Sequence, residues 1–352
     1  MKILIVGAGI LGASLAFRLG LAGAKVTVLE AATPAAGASG SSFGWINASF
    51  YLGADHHRLR VAAMAAHHRL RASLPAPAPD WNGTFWWDDQ DGALTRMQAE
   101  LLSLGYPVKA LTRSDLRQLE PALLAPPDRA LHLPSEGTTD AAALTHALLA
   151  ASGARVRSGT AATALILRDG RVTGVQCPRG PLLADHTILA AGTATPALLR
   201  SAGLDLPMVP RPGLILRSKP VGFRLKHILV TQGQEVRQLP DGSLLSPCAA
   251  SHQAATSETV PDQAAAARAT IANLNALFGQ VVLAETRLAH RPVPADGLPV
   301  LGLAAPGLSL AVMHSGVTLG PYAAEALTAE LLGQTPDRLW ANYRPERLMR
   351  RL

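Results

Sequence analysis

Six residues near the start, Gly7-Ala8-Gly9-Ile10-Leu11-Gly12, restrict the folds open to this chain more than any other stretch. They follow Ile3-Leu4-Ile5-Val6, a short continuous apolar run of the kind a parallel sheet buries on both faces. A helical pattern from Ala13 to Leu21 comes next, and then a second apolar run, Lys25 to Leu29, that ends on Glu30. Strand, glycine turn, helix and strand in this order form a dinucleotide-binding unit. Gly7 permits the tight turn, Gly9 lets the backbone approach a pyrophosphate, and Gly12 lets the helix pack close to the sheet. The phosphates then meet the unpaired N–H groups and positive end of the helix, where Ile10 and Leu11 stand. Glu30 can accept hydrogen bonds from a ribose diol and would repel a 2′-phosphate, which disfavours NADP.

A lone GxGxxG is weak in a chain with 31 glycines. Here Ala16, Leu19, Gly23 and Val26 also fall where helix and sheet need small or apolar groups. The competing reading is a secretory signal peptide, because Lys2 precedes an apolar stretch running to Phe17. The glycines weaken such a helix and Arg18 interrupts it, so dinucleotide binding is the better account. NAD or FAD is a choice left to the rest of the chain.

With 352 residues the chain is long for one domain and suggests two intertwined ones. Its only cysteines, Cys177 and Cys248, make neither a disulfide framework nor a CxxC pair, in keeping with a cytoplasmic setting. No uncharged apolar run is long enough for a transmembrane helix, so no transmembrane segment is expected. The net charge of +7 is spread along the chain without a basic block, which argues against nucleic acid as a partner.

After Glu30 a loop of small residues, Ala31 to Ser42, carries Ser39, Gly40 and Ser41 on the side where a cofactor would lie. The helix expected from Asp55 to Leu74 holds His56, His57, His67 and His68. There is no HExxH, so these histidines read as solvated or partly packed, and no metal site is expected. Pro75, Pro77 and Pro79 form a stiff connection out of the first domain. Trp81 to Asp88 reads as a strand whose Phe85-Trp86-Trp87 line a pocket or belong to the core, and helices follow at Gly92 to Leu104 and Asp115 to Glu120.

The nucleotide-type pattern returns at Gly137, with Asp140 as N-cap of a helix to Ser152, a hairpin around Asp169-Gly170, and a buried strand from Ala184 that ends in Ala190-Ala191-Gly192. A second excursion spans about Arg211 to Phe278. The Pro- and Gly-rich segment His290 to Gly302, the strand Leu308 to Met313, the His314-Ser315-Gly316 turn and a helix from Tyr322 to Leu332 complete the chain.

In this order the whole chain resembles the D-amino-acid oxidase (DAO) family of FAD-dependent oxidoreductases, the group of glycine oxidase, sarcosine oxidase and D-amino-acid dehydrogenases. The carriers are Gly7 to Glu30, Gly37-Ala38-Ser39-Gly40, Asp185 to Gly192, the RPxPxDGxPxxG segment Arg291 to Gly302, and Met313-His314-Ser315-Gly316-Val317-Thr318-Leu319-Gly320. The last two are far more specific than the first glycine motif. The resemblance implies an α/β fold: a Rossmann-like FAD-binding domain (residues 1–75, 137–210 and 285–352) interleaved with an α+β substrate domain (76–136 and 211–284) on a mostly antiparallel sheet.

The resemblance also implies roles. Gly7, Gly9, Gly12 and Glu30 would hold the ADP half of FAD, with Ser39, Gly40 and Ser41 near the flavin or pyrophosphate and Ala191-Gly192 at the adjoining strand end. Ala162 matches a position whose backbone meets the adenine. Ser315, Gly316, Val317 and Thr318 would present N–H groups to the flavin pyrimidine edge, where reduction places negative charge. Arg291 would clamp a substrate carboxylate, a task that suits a guanidinium fork, or it is a structural arginine paired with Asp296 or a backbone carbonyl. His314 would orient substrate or support the loop.

The implied reaction is oxidation of a small amino or imino acid (a D-amino acid, glycine or an N-methylglycine type). The neutral amine loses its α-hydrogen as hydride to flavin N5, and the resulting imine hydrolyses. Leu288-Ala289-His290 lacks the cysteine that attaches flavin in sarcosine-oxidase relatives, so the FAD is expected to be non-covalent. No lysine is securely placed for oxygen activation, neither Lys219 nor Lys226, which leaves the electron acceptor open between oxygen and a protein or quinone. A subunit of a hetero-oligomeric dehydrogenase is an alternative, and a plain NAD-dependent dehydrogenase, which leaves the His314-Ser315-Gly316 segment unexplained, is a weaker one.

Overall fold

The computed structural model describes residues 1–88, 92–209, 211–231, 234–248, 260 and 262–352. The chain begins β1 (Lys2–Val6), α1 (Ile10–Leu21), β2 (Lys25–Leu29) and α2 (Ala54–Ser73). It continues through β3 (Thr84–Trp86), α3 (Ala93–Ser103), β4 (Lys109–Thr112), α4 (Arg113–Leu119), β5 (Arg129–Leu133), α5 (Ala141–Ala151), β6 (Arg155–Arg157) and β7 (His186–Leu189). The second half runs α6 (Thr195–Arg200), β8 (Pro212–Pro220), β9 (Ile228–Thr231), β10 (Gln234–Gln238), β11 (Ser243–Pro247), α7 (Gln263–Phe278), β12 (Leu283–His290), β13 (Val300–Ala305), β14 (Leu308–Val312) and α8 (Gly316–Leu331). Residues 249–259, within the excursion expected between Arg211 and Phe278, lie outside the described residues.

Two large sheets organise these elements. The first has six strands in the order β13-β14-β7-β1-β2-β6. Every pair from β14 to β6 is parallel, and only β13 runs antiparallel on its neighbour. β1 lies near the middle with four of its five residues buried, which explains its unbroken apolar sequence. One face of this sheet is covered by α1, α5, α2 and α8 around Leu15, Phe17, Leu19, Leu59, Leu148 and Leu327. The other packs on a three-stranded antiparallel sheet through Leu165, Val172 and Val175. Asp169 and Gly170, with φ of 49° and 73°, make the expected hairpin turn of that small sheet.

The second sheet has eight strands in the order β12-β8-β11-β10-β9-β3-β5-β4. It is antiparallel except for the pair β9 and β3. Its core packs α3 and α7 through Leu101, Leu131, Leu216, Leu229, Leu244 and Leu274. The fold is therefore mixed α/β, with a mostly parallel sheet and a mostly antiparallel one, and the chain visits the two in alternation. β12, up to His290, belongs to the antiparallel sheet.

The start of α5 follows the cap expected of it, whereas α4 begins two residues before the expected Asp115. The Asp140 carboxylate accepts from Ala143 N at 2.9 Å at the head of α5, and Thr112 and Asp115 form a reciprocal capping box at α4. Other expectations change. The strand read over Trp81 to Asp88 is confined to Thr84–Trp86. α8 begins at Gly316, six residues before the expected Tyr322, and carries Pro321 inside it. Proline leaves the Val317 carbonyl without its helical N–H, and His67 Nε2 supplies a donor at 3.0 Å instead. The histidines of α2 divide accordingly. His56, His57 and His67 are buried and only His68 is exposed, stacked on Trp81 at 4.3 Å, because α2 packs its histidine-bearing face against α8 and the loop from Trp45 to Tyr51.

Candidate active site

The turn between β1 and α1 is held by close backbone approaches that only glycine allows. Gly7 has φ of 106°, and a Cβ there would stand 2.3 Å from Ala190 O at the end of β7. A Cβ on Gly12 would stand 1.9 Å from Gly7 O, so this residue lets α1 sit directly on the strand end. Glu30, just past β2, accepts from Ala8 N and Ala32 N, each at 2.9 Å, and Ser39 Oγ accepts from Ile10 N at 2.9 Å.

These groups border a cavity of about 600 Å³, a volume typical of a cofactor or substrate cleft. Gly7, Gly9, Ile10, Leu11, Glu30, Ser39, Ser41, Ala191 and Gly192 line one part of it. Arg291, His314, Ser315, Gly316, Val317 and Thr318 line another, beside Trp45, Asn47 and Phe50. Three expected residues stand outside the lining. Gly12 lies behind the turn, Gly40 packs towards Ala35 O, and Ala162 sits half-buried between β6 and the small sheet.

Both long helices that open on the cavity, α1 and α8, have an N-cap residue that makes no cap bond and no acidic residue in the first turn, although Ser39 takes the first N–H of α1. At α8 the reason is specific. The hydroxyl of the N-cap residue Ser315 is taken by Arg60, whose Nη1 donates to it at 2.7 Å. The first-turn N–H groups and the positive end of the helix are left to the cavity. Such a donor set suits an anionic dinucleotide at α1 and a group that gains negative charge at α8.

Arg60 is a site residue that sequence reading missed. It is 1% exposed, and also donates through Nε to Asn47 O at 3.0 Å and through Nη2 to Asn47 Oδ1 at 2.6 Å. Burial pulls its pKa down to about 10, with the Glu136 carboxylate and Tyr106 opposing the fall. Glu136 is wholly buried and accepts from Trp45 Nε1 at 3.0 Å, Tyr106 Oη at 3.1 Å and Ser49 N at 3.3 Å. Desolvation raises its pKa against these bonds. The signal lay in register: Arg60 shares the stripe of His56, Ala63, His67 and Leu70, spaced three and four apart, which faces the protein interior.

Arg291 follows β12. Its guanidinium donates through Nε to Arg211 O at 3.3 Å and through Nη2 to Pro212 O at 3.1 Å, and Nη1 lies 3.4 Å from His314 Nε2. Asp296, the alternative ion-pair partner, pairs with Arg347 Nε at 2.7 Å. Burial, assisted by the nearby Arg211 charge, lowers the Arg291 pKa to about 10. A second missed residue, Glu235 on β10, lines the same cavity, and burial raises its carboxyl to about 7 against the pull of Arg291.

Among the described residues no helix is long and apolar enough to cross a membrane, and no group of three metal-ligating side chains is assembled.

The model of the DAO family, FAD dependent oxidoreductase, matches residues 2–330. The sequence is 26% identical over 368 residues to a glycine oxidase of Pseudomonas aeruginosa, with 98% of each chain covered. It is 30% identical over 248 residues to a D-amino acid dehydrogenase of Cereibacter sphaeroides, covering 66% of this chain and 56% of that one. Glycine oxidase from Geobacillus kaustophilus shares the fold with a TM-score of 0.86 at 21% identity, over 100% of this chain and 99% of the other. Iminodiacetate oxidase from Chelativorans sp. does so with a TM-score of 0.85 at 22% identity, over 97% and 98%. The chain belongs to the DAO family and is an FAD-dependent oxidoreductase.

Proposed function

We propose that this protein oxidises a small amino or imino acid at its α carbon, with the substrate in the part of the cavity bordered by Arg291 and His314. The six-stranded sheet is the cofactor-binding half and the eight-stranded sheet the substrate half. In this reading Gly7, Gly9, Ile10, Leu11 and Glu30 hold the ADP portion of FAD, with Ser39 and Ser41 beside the diphosphate. Ser315 to Thr318, which line the same cavity, would hold the flavin ring. When bound, FAD supplies a two-electron acceptor for the α-hydrogen of the substrate. The start of α8 and the Arg60 guanidinium stabilise the negative charge that gathers on that side. Arg291, anchored on the carbonyls of Arg211 and Pro212, keeps Nη1 directed towards His314 and the cavity, where it pairs with a substrate carboxylate. The apolar walls of Trp45, Phe50 and Ile215 exclude water from the substrate.

The observation that carries this reading is the placement of Arg291 in the same cleft as the starts of α1 and α8. The relatives named glycine oxidase and D-amino acid dehydrogenase support the amino-acid class. The test is an absorption spectrum of the purified protein, repeated without oxygen after addition of glycine, sarcosine, D-alanine or D-proline. Oxidised-flavin bands that bleach with one of these establish the class. Re-oxidation by air, or only by a quinone dye, then distinguishes oxidase from dehydrogenase. Flavin bands that none of these compounds bleaches refute the proposed substrate class.

A further inference from the structure

On β10 the side chains alternate. Val236 points into the core of the eight-stranded sheet, while Glu235 and Arg237 point the other way. Arg237 is engaged by carbonyls, with Nε donating to Phe43 O at 2.6 Å and Nη2 reaching Thr139 O at 3.5 Å. Glu235 faces the cavity that Arg291 also faces. Its backbone carbonyl accepts from Ser246 and Gln234, but among the described residues no donor reaches its carboxyl group. Glu235 is half-buried, and a partly desolvated carboxyl that faces a cavity without a donor is placed to receive one from a ligand. Among the described residues, the other titratable groups on the cavity wall are Glu30, Arg60, His290, Arg291 and His314. Among the described residues, Glu235 is thus the one carboxyl that shares its end of the cleft with the carboxylate clamp.

We propose that Arg291 and Glu235 together read the zwitterionic head of an amino acid, with Glu235 receiving the ammonium and accepting its proton. The inference rests on the amino-acid reading above. An N–H bond of the ammonium breaks, an O–H bond forms on Glu235, and the electron pair stays on nitrogen. The neutral amine so produced is the form able to lose its α-hydrogen as hydride. Arg291 alone would bind any small carboxylate. The facing acid favours compounds that also carry an amine and disfavours those that do not. Burial holds the group near a pKa of about 7, where it can be ionised on binding and protonated after it.

The test uses the FAD-loaded protein and two measurements. Binding of propionate, which has a carboxylate and no amine, is followed by the change in the flavin spectrum across pH 5.5 to 8.5. In the wild type propionate affinity is expected to fall about tenfold as Glu235 ionises, a shift equal to about one pKa unit. Glu235→Gln removes that fall. The second measurement is the rate of anaerobic flavin reduction by the best amino-acid substrate. Glu235→Gln is expected to slow it about 100-fold at pH 7 and to move its rise to the alkaline pH at which the free amine titrates. Propionate affinity that does not change with pH in the wild type overturns the proposal without reference to any variant. A Glu235→Gln variant that keeps the wild-type pH profile also overturns it, including one that loses only a preference for basic side chains. If no amino acid reduces the wild type while the propionate titration behaves as expected, the substrate assignment fails and the charge pairing in the cleft stands.

Discussion

His67 Nε2 lies 3.0 Å from Val317 O, the carbonyl that Pro321 deprives of its helical partner. A side chain of α2 thereby completes the first turn of α8, at the edge of the cavity. The ring is neutral: burial lowers its pKa to about 4, so the nitrogen facing the carbonyl carries the single proton. His67→Phe should leave a buried carbonyl unpaired and destabilise the fold by about 1–3 kcal/mol. Denaturant unfolding of the apoprotein measures this.

His67 is one of several buried neutral histidines. Burial is also the main cause of a low pKa at His56, about 3, and at His186, about 4. The unfolded chain takes up protons at these sites below its ordinary value of about 6.5, which the native chain cannot do until pH is near 4. Stability is therefore full above pH 6.5 and is lost as pH falls from there towards 4. Each of the three contributes up to about 1.4 kcal/mol per pH unit. Melting temperatures at pH 7.5, 6.0 and 5.0 should fall progressively, and a flat profile would show that these rings accept protons in the native state.

Gly12→Ala would bring a methyl group to 1.9 Å from Gly7 O, and both atoms belong to rigid elements. The helix must move off the sheet, at a cost of about 3 kcal/mol or more. The expected outcome is protein that does not retain FAD through gel filtration, with a lowered melting temperature.

Arg60→Met keeps length but removes the donor to Ser315 Oγ and to both Asn47 acceptors. The freed hydroxyl then turns back to cap α8, and the cavity loses a buried positive charge. FAD dissociation constants from fluorescence titration should rise about tenfold, equivalent to about 1.4 kcal/mol, the size expected for losing such an electrostatic contribution. Arg60→Lys should recover part of the loss.

Arg291→Met should raise the dissociation constant of propionate by about 30-fold or more, since removal of one partner of a buried charge pair costs about 2–5 kcal/mol. FAD content should stay unchanged. Unaltered propionate binding would return Arg291 to a purely structural role on the Arg211 and Pro212 carbonyls.

Much of this was legible in the sequence where local chemistry decides the outcome. The Gly7 to Glu30 unit, the cap at Asp140 and the Asp169-Gly170 hairpin depend on neighbours within about thirty residues, and their patterns survive in the chain. The start of α8 was not legible, because Pro321 reads as a breaker unless a donor 254 residues earlier, His67, is known to reach the carbonyl it frees. Arg60 and Glu235 escaped for the same reason. A charged side chain in a helix or strand looks like a solvated one until another element covers it.

The strand order of the parallel sheet bears on how the chain is made. β1 needs β7 on one side and β2 on the other, and β7 in turn needs β14. About 300 residues separate β1 from β14, so synthesis at about 5–20 residues per second leaves roughly 15–60 s between the two. β6 and β7 join β2 and β1 partway through that interval, but β7 keeps an unpaired edge until β14 emerges, and the helical face lacks α8. The parallel sheet is thus incomplete until the last strands and helix of the chain have been made. Destabilising substitutions in β13, β14 or α8 should lower yield in the cell by more than their equilibrium cost.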